Sequence, residues 1–327
     1  VTRVAILGPT TLLGQELRQT LERRRHLWDD LRLLAGSAEE EGTVTEAAGA
    51  AAIVAPADPE ALAGADLVFA CGALDHDLPL VRRRVEAGGA TAILLSPEAR
   101  AEHGVPVVAG IDPDAARPGG ILVSPHPAAV VLSYLLAPLA GPAAALGAEG
   151  ASATVIQPVS MLGSRALEDL LDQTRDLVAM TGERRKTAFD RQLAFSLYPA
   201  PEGSAGIAEL ARSASGADLP LAVHSLQGAI FHGLSCSLFV RFACDPGVKA
   251  VRKALAAQKH VRLSAAEAAA GDVPAPIDAA AQEEVLVGSV RADPDYPGGY
   301  WIWAVLDNLV RGGALNAVEV AELVVGR

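Results

Sequence analysis

Along the first 120 residues, short unbroken apolar runs alternate with segments in which apolar residues return every third or fourth position. The run "RVAILG" (residues 3–8) predicts a strand covered on both faces, since only such a strand can be apolar throughout. Leu12, Leu13, Leu17 and Leu21 follow at near-helical spacing and predict a first helix. Five more runs, "LRLLAG" (31–36), "AAIVAP" (51–56), "ADLVFACG" (65–72), "ATAILLS" (90–96) and "VPVVAG" (105–110), predict further strands, with residues 82–87 in a crossover helix. Strands alternating with helices predict a doubly wound α/β domain of the Rossmann type with a parallel sheet.

From about residue 150 the pattern changes. "ASATVIQPVSMLG" (151–163) predicts a strand running into a turn, and Leu167, Leu170, Leu171, Leu177 and Val178 mark one face of the next helix. The stretches 219–244, 283–293 and 298–308 alternate with period two, predicting an α+β domain with a largely antiparallel sheet. Such a sheet leaves one face free, so an oligomer is expected. Residues 313–325 read as a terminal helix through Leu315, Val318, Val320 and Leu323.

Composition narrows the function. With 50% hydrophobic and 20% charged residues the chain has ample core and no disordered character. A net charge of −12 argues against a nucleic-acid surface, which needs clustered cations. The apolar runs break before about 18 residues, too short for a bilayer span, and no secretory leader precedes the first strand, so no membrane partner and a cytoplasmic location are expected. Three cysteines, Cys71, Cys236 and Cys244, form no CxxC pair, and the odd number fits a reducing compartment. The histidines have no metal-ligand spacing, so no metal site is expected. The local concentration Tyr300, Trp301 and Trp303 reads as strand packing.

Between first strand and first helix lies "GPTTLLG" (8–14), where a dinucleotide-binding domain carries its phosphate turn. Gly8 and Gly14 occupy the first and third glycine positions, while the middle one falls on Thr11, whose side chain is expected to intrude on the cofactor's approach. The second strand ends in "GSAEEEG" (36–42). Glu39, Glu40 and Glu41 repel a 2′-phosphate and can accept hydrogen bonds from ribose hydroxyls, so NAD is electrostatically easier than NADP; a solvated acidic loop is the plainer reading.

The runs "VAILGPTTLLGQEL", "ADLVFACG", "VSMLGSRALEDLLDQT", "FDRQLAFSLYP" and "WIWAVLDNLVRGGALNAVEVAELV" resemble, in order and spacing, the aspartate-semialdehyde dehydrogenases, and the resemblance spans nearly the whole chain. It implies an NAD(P)-binding Rossmann-like domain over residues 1–128 plus 307–327, a dimerisation and substrate domain over 129–306, and a homodimer. It also implies NADPH-dependent formation of aspartate semialdehyde from aspartyl phosphate through a cysteine thioester, with a histidine moving protons. On this resemblance Gly8, Thr10, Thr11, Leu12, Leu13, Gly14, Ser37, Gly72 and Asn308 meet the cofactor, and Arg100, Gln157 and Ser160 meet the substrate.

The two chemical positions depart from the pattern. The family's Asn-Pro-x-Cys turn falls on "SPHPAAVVLSYLLAPL" (124–139), putting the nucleophile's position at Pro127, or at His126 with a one-residue gap. The histidine's position falls on Leu234, and Gln227 stands where an arginine would hold the substrate carboxylate. Of the family's acidic and basic pair before this strand, only Glu209 stands nearby. His232, two residues away on the same strand face, reads as structural; Cys71 and Cys236 read as buried thiols, and Ser124 with His126 lacks an oriented acid. The leading expectation is therefore a catalytically silent relative resembling the USG-1-like branch, binding a nucleotide, a metabolite or an active homologue. An NAD(P)-dependent oxidoreductase acting on another small acid, with Arg100 holding an anion, is the second reading; an assembly subunit is the third.

Overall fold

The computed structural model describes residues 2–144, 146–180, 191–200, 204–265 and 272–326. Phe189 and Asp190, which open the run "FDRQLAFSLYP", lie outside the described residues. The chain forms two compact units, Val1–His126 with Gly312–Arg327, and Pro127–Arg311.

In the first unit, β1 (Arg3–Leu7) leads through α1 (Leu12–Arg23) to β2 (Asp30–Leu34). A hairpin of β3 (Val44–Ala47) and β4 (Ala50–Ile53) intervenes before β5 (Leu67–Ala70), α2 (Leu74–Glu86) and β6 (Thr91–Leu94). Then come β7 (Val105–Pro106) and β8 (Ile121–Val123). Six strands form one all-parallel sheet in the order β2-β1-β5-β6-β8-β7. The run "AAIVAP" is not a full member of it: β4 pairs with β3, Ile53 is exposed, and only the end of the run reaches the sheet, where Ala55 bridges Leu34 of β2 in parallel after buried Val54. Alanines supply too little apolar area to hold a central strand. "VPVVAG" contributes only the two-residue edge strand β7, and the strand that separates it from β6 is β8, three residues that sequence periodicity cannot register.

The second unit opens with α3 (Pro127–Ala140), apolar on every side and buried over nearly its whole length, as a helix inside a core must be. There follow β9 (Ala148–Gln157), α4 (Ser164–Ala179), β10 (Leu197–Pro199), α5 (Ser204–Ser215), β11 (Leu221–Gly228), β12 (Leu234–Phe242), α6 (Val248–Ala257), β13 (Val261–Leu263), β14 (Val285–Ala292) and β15 (Gly299–Leu306). These strands make a mixed seven-stranded sheet, β10-β11-β9-β12-β15-β14-β13, in which β9–β11 and β13–β14 are the parallel pairs and the other four are antiparallel. Helix α3 packs on β9, β12 and β15 and against α5 and α6. The opposite face carries Phe239 beside Trp301 and Ser237 beside Trp303 in register, with the Phe239 and Trp301 rings 5.0 Å apart.

The chain then returns to the first unit as α7 (Leu315–Val325), which buries Ala317, Val318, Ala321 and Val324 in the same core as Leu17, Leu21 and Trp28. Residues 307–311, expected to belong with this returning segment, stay with the second unit. Asp307 accepts the amides of Ala281 and Val310, and buried Arg311 reaches Tyr134 and His260.

Candidate functional site

The nucleotide turn is built on three glycines at the carboxyl ends of adjacent strands. Gly8, Gly36 and Gly72 end β1, β2 and β5, and they touch backbone to backbone: a Cβ on Gly36 would lie 2.8 Å from the Gly8 Cα and 3.0 Å from the Gly72 Cα. A Cβ on Gly8, whose φ is +74°, would lie 2.6 Å from the Gly72 nitrogen. Gly14 lets α1 close over the turn, since a Cβ added there would collide with the Gly8 carbonyl oxygen. This is the close approach for which a dinucleotide turn uses glycine.

Thr11 has a role that spacing alone does not reveal. Its hydroxyl accepts the Gly14 amide at 3.0 Å and donates to the Gly8 carbonyl at 2.9 Å, so it caps α1. The first-turn amides of Leu12 and Leu13 then have no intrahelical partner and are the donors suited to a pyrophosphate. Glu40 is buried, unlike exposed Glu39 and Glu41, and its carboxylate accepts the Gly36 amide at 2.6 Å, the Thr10 amide at 3.3 Å and the Thr10 hydroxyl. Ser37 is exposed on the same loop. Beside Gly72, Asp77 accepts the Gly72 amide at 2.8 Å and pairs with His76 at 2.9 Å. Burial raises the Asp77 pKa, opposed by these two partners and reinforced by the Glu40 charge.

The turn before α3 is held by α7. Asn316, fully buried, accepts the Ala109 amide and donates to the Val107 carbonyl and to Ser124 Oγ at 2.9 Å. His126 is buried, and desolvation, with the charge of Arg100, depresses its pKa to about 3, so the imidazole is neutral at pH 7. The Arg100 guanidinium donates to the carbonyls of Pro97 and Ala99, which holds it against its own loop. Pro127 is the first residue of α3. Neither buried thiol is poised to react: desolvation, with Asp77 and Glu40, raises Cys71 well above the ordinary thiol range, and desolvation pushes Cys236 up to about 12.

A second cluster lies in the second unit. His232 Nε2 sits 2.8 Å from the Asp307 carboxylate, and its Nδ1 is 3.2 Å from Ser160 Oγ. Burial raises the Asp307 pKa, but the His232 hydrogen bond and charge, with the Val310 and Ala281 amides, bring it below the usual carboxylate range. Asn308 donates to Ser160 Oγ at 3.0 Å and accepts the Gly233 amide at 3.1 Å, so the amide expected to meet cofactor is committed to this cluster. Gln227 donates to the carbonyls of Gln157 and Gly228, tying β11 to β9. Leu234 is fully buried in β12. Ser160, His232 and Asp307 are too far apart in sequence for spacing to connect them, and Asp77 and Asn316 carry no motif of their own. Among the described residues no group of acidic, histidine or cysteine side chains could hold a metal, and no helix is long and apolar enough to cross a membrane.

A parallel-sheet domain completed by the last helix, followed in the chain by a mixed-sheet domain, defines a class of two-domain α/β proteins with a nucleotide-type turn. The chain belongs to the semialdehyde dehydrogenase family: residues 3–116 match its NAD binding domain and residues 136–311 its dimerisation domain. It is 28% identical to the aspartate-semialdehyde dehydrogenase of Synechocystis sp., covering 99% of this chain and 98% of that one. It is 31% identical to a USG-1 protein homolog of Pseudomonas aeruginosa, covering 98% and 97%. The structure of a probable aspartate-semialdehyde dehydrogenase from Pseudomonas aeruginosa superimposes with a TM-score of 0.87 at 29% identity, over 98% of both chains.

Proposed function

We propose that this chain is a cytoplasmic, homodimeric nucleotide-binding member of the family that does not carry out the thioester chemistry of its catalytic relatives. The observation that carries this reading is the start of α3, where Pro127 offers no nucleophile and the preceding His126 is buried. The proton-carrying position is equally mute, since Leu234 is an aliphatic core residue of β12. Cys71 and Cys236 are buried and held as neutral thiols, so neither supplies the missing thiolate.

Nucleotide binding rests on Gly8, Gly14, Gly36 and Gly72 for close approach and on the Leu12 and Leu13 amides for the pyrophosphate. A bound nicotinamide supplies hydride chemistry; the chain's own part is to seat and orient it. NAD is favoured over NADP because residues 36–42 carry three glutamates and no cation. The dimer is assigned to the sheet face with Phe239, Trp301 and Trp303 because α3 packs on the other face. The test is phosphate-dependent oxidation of aspartate semialdehyde by the purified chain with NAD or NADP. No turnover above a host-protein control is expected, and turnover that co-purifies with the chain overturns the reading.

One observation favours a second reading. His232 is a carboxylate-backed imidazole, the arrangement a general base needs, so an oxidoreductase using His232 in place of Leu234 remains the alternative. Activity toward another small acidic aldehyde that disappears in His232→Ala would support it.

A further inference from the structure

We propose that Glu40 is an internal anion seated in the nucleotide turn, standing where a 2′-phosphate would bind and thereby restricting the turn to dinucleotides with a free 2′-hydroxyl. This rests on the reading that the turn binds a nucleotide, and it assigns the selection to one residue.

Three donors from two loops converge on this carboxylate. One oxygen takes the Thr10 amide and hydroxyl from the loop after β1; the other takes the Gly36 amide from the loop after β2. Both loops lie at the carboxyl edge of the sheet, where the ribose of a dinucleotide is held beyond the second strand. Converging N–H and O–H donors make an anion cradle, and here the chain fills it with its own negative charge. Glu39 and Glu41, on either side, are exposed and touch none of these donors.

The loop fixes Glu40 in place. Its amide donates to the Ser37 carbonyl at 3.1 Å, and its carbonyl accepts the Thr43 amide at 3.1 Å and the Thr43 hydroxyl at 2.7 Å. A ribose 2′-hydroxyl can donate to a carboxylate held in this way without displacing it. A 2′-phosphate needs the same donors and brings like charge, while residues 35–43 contain no Lys or Arg to compensate. Asp77, beside Gly72 on the adjoining strand end, adds a second carboxylate to the same edge.

The test is calorimetric titration of the full chain with NAD, NADP, AMP and 2′-AMP, using wild type, Glu40→Ala and Glu40→Gln, with melting curves to confirm folding. Glu40→Gln preserves side-chain volume if the alanine variant does not fold. The wild type should bind NAD at least about tenfold more tightly than NADP, and both variants should narrow that ratio by at least about tenfold, chiefly by gaining affinity for 2′-phosphorylated ligands. Binding by the wild type with a ratio near one, or a ratio unchanged in both variants, overturns the assignment to Glu40. Failure of all three proteins to bind any nucleotide overturns the nucleotide reading itself, and this assignment with it.

Discussion

The Asp307 carboxylate lies 2.8 Å from Nε2 of His232 and is almost wholly buried, whereas the imidazole remains partly exposed. One hydrogen-bonded pair thus joins the end of β15 to the tight turn before β12. It also reaches Ser160 after β9, through the other ring nitrogen.

Removing the carboxylate should therefore cost more than removing the ring. Asp307→Ala leaves the Ala281, Leu309 and Val310 amides without their acceptor and is expected to destabilise the protein by about 2–3 kcal/mol. His232→Ala should cost about 1 kcal/mol, because the ring is partly solvated. Because the folded pKa of Asp307 is depressed, its stabilisation is present above the unfolded carboxylate value and is lost as pH falls through the folded one. Urea titrations at pH 7 and below pH 4 should show the wild type losing more stability than Asp307→Asn.

His126 gives a second and separable acid response. Its folded pKa near 3 lies below the ordinary imidazole value of 6.5, so between those values the unfolded chain binds a proton that the folded chain does not. Stability should then fall with decreasing pH by up to about 1.4 kcal/mol per unit across that window, and be flat for this group above it. His126→Asn should reduce the slope between pH 6 and pH 4, as read by denaturant midpoints.

The glycine junction should tolerate no methyl group. Gly36→Ala places a Cβ 2.8 Å from the Gly8 Cα, and since both neighbours are backbone, the strand ends must separate. A loss of about 1–3 kcal/mol is expected, together with weaker nucleotide binding in the same titration. Gly8→Ala should be worse, because its φ of +74° adds strain to the clash.

Thiol labelling should distinguish the three cysteines. Only Cys244 is exposed; Cys71 and Cys236 are buried. Brief iodoacetamide treatment of native protein should add one label, and treatment in denaturant three, as read by intact mass. Rapid native labelling of Cys71 or Cys236 would contradict their burial as neutral thiols.

Much of the fold was legible because burial on both faces leaves an unmistakable mark, as in β1, β5 and β6. It failed where that mark is faint. "AAIVAP" looks apolar, yet its alanines bury little area; most of it forms a hairpin and only Ala55 bridges the edge of β2, while β8 is too short to show a period. At the nucleotide turn, Gly8 and Gly14 stand out from their spacing, but the contact of Gly8 with Gly36 and Gly72 exists only once three strands lie side by side. Glu40 cannot be told from Glu39 or Glu41 by residue type; only folding buries one of the three. Ser160, His232, Asp307 and Asn308 likewise meet through β9, β12 and β15, a conjunction that no linear motif announces.

Helix α7 lines the core of the first unit, although the whole of 127–311 is synthesised before it. The first unit is therefore completed only after the intervening 127–311 has been made. Until residues 315–325 arrive, Leu17, Leu21 and Trp28 lack their cover. The nascent first unit must wait with an open apolar seam until the segment after 127–311 arrives to close it.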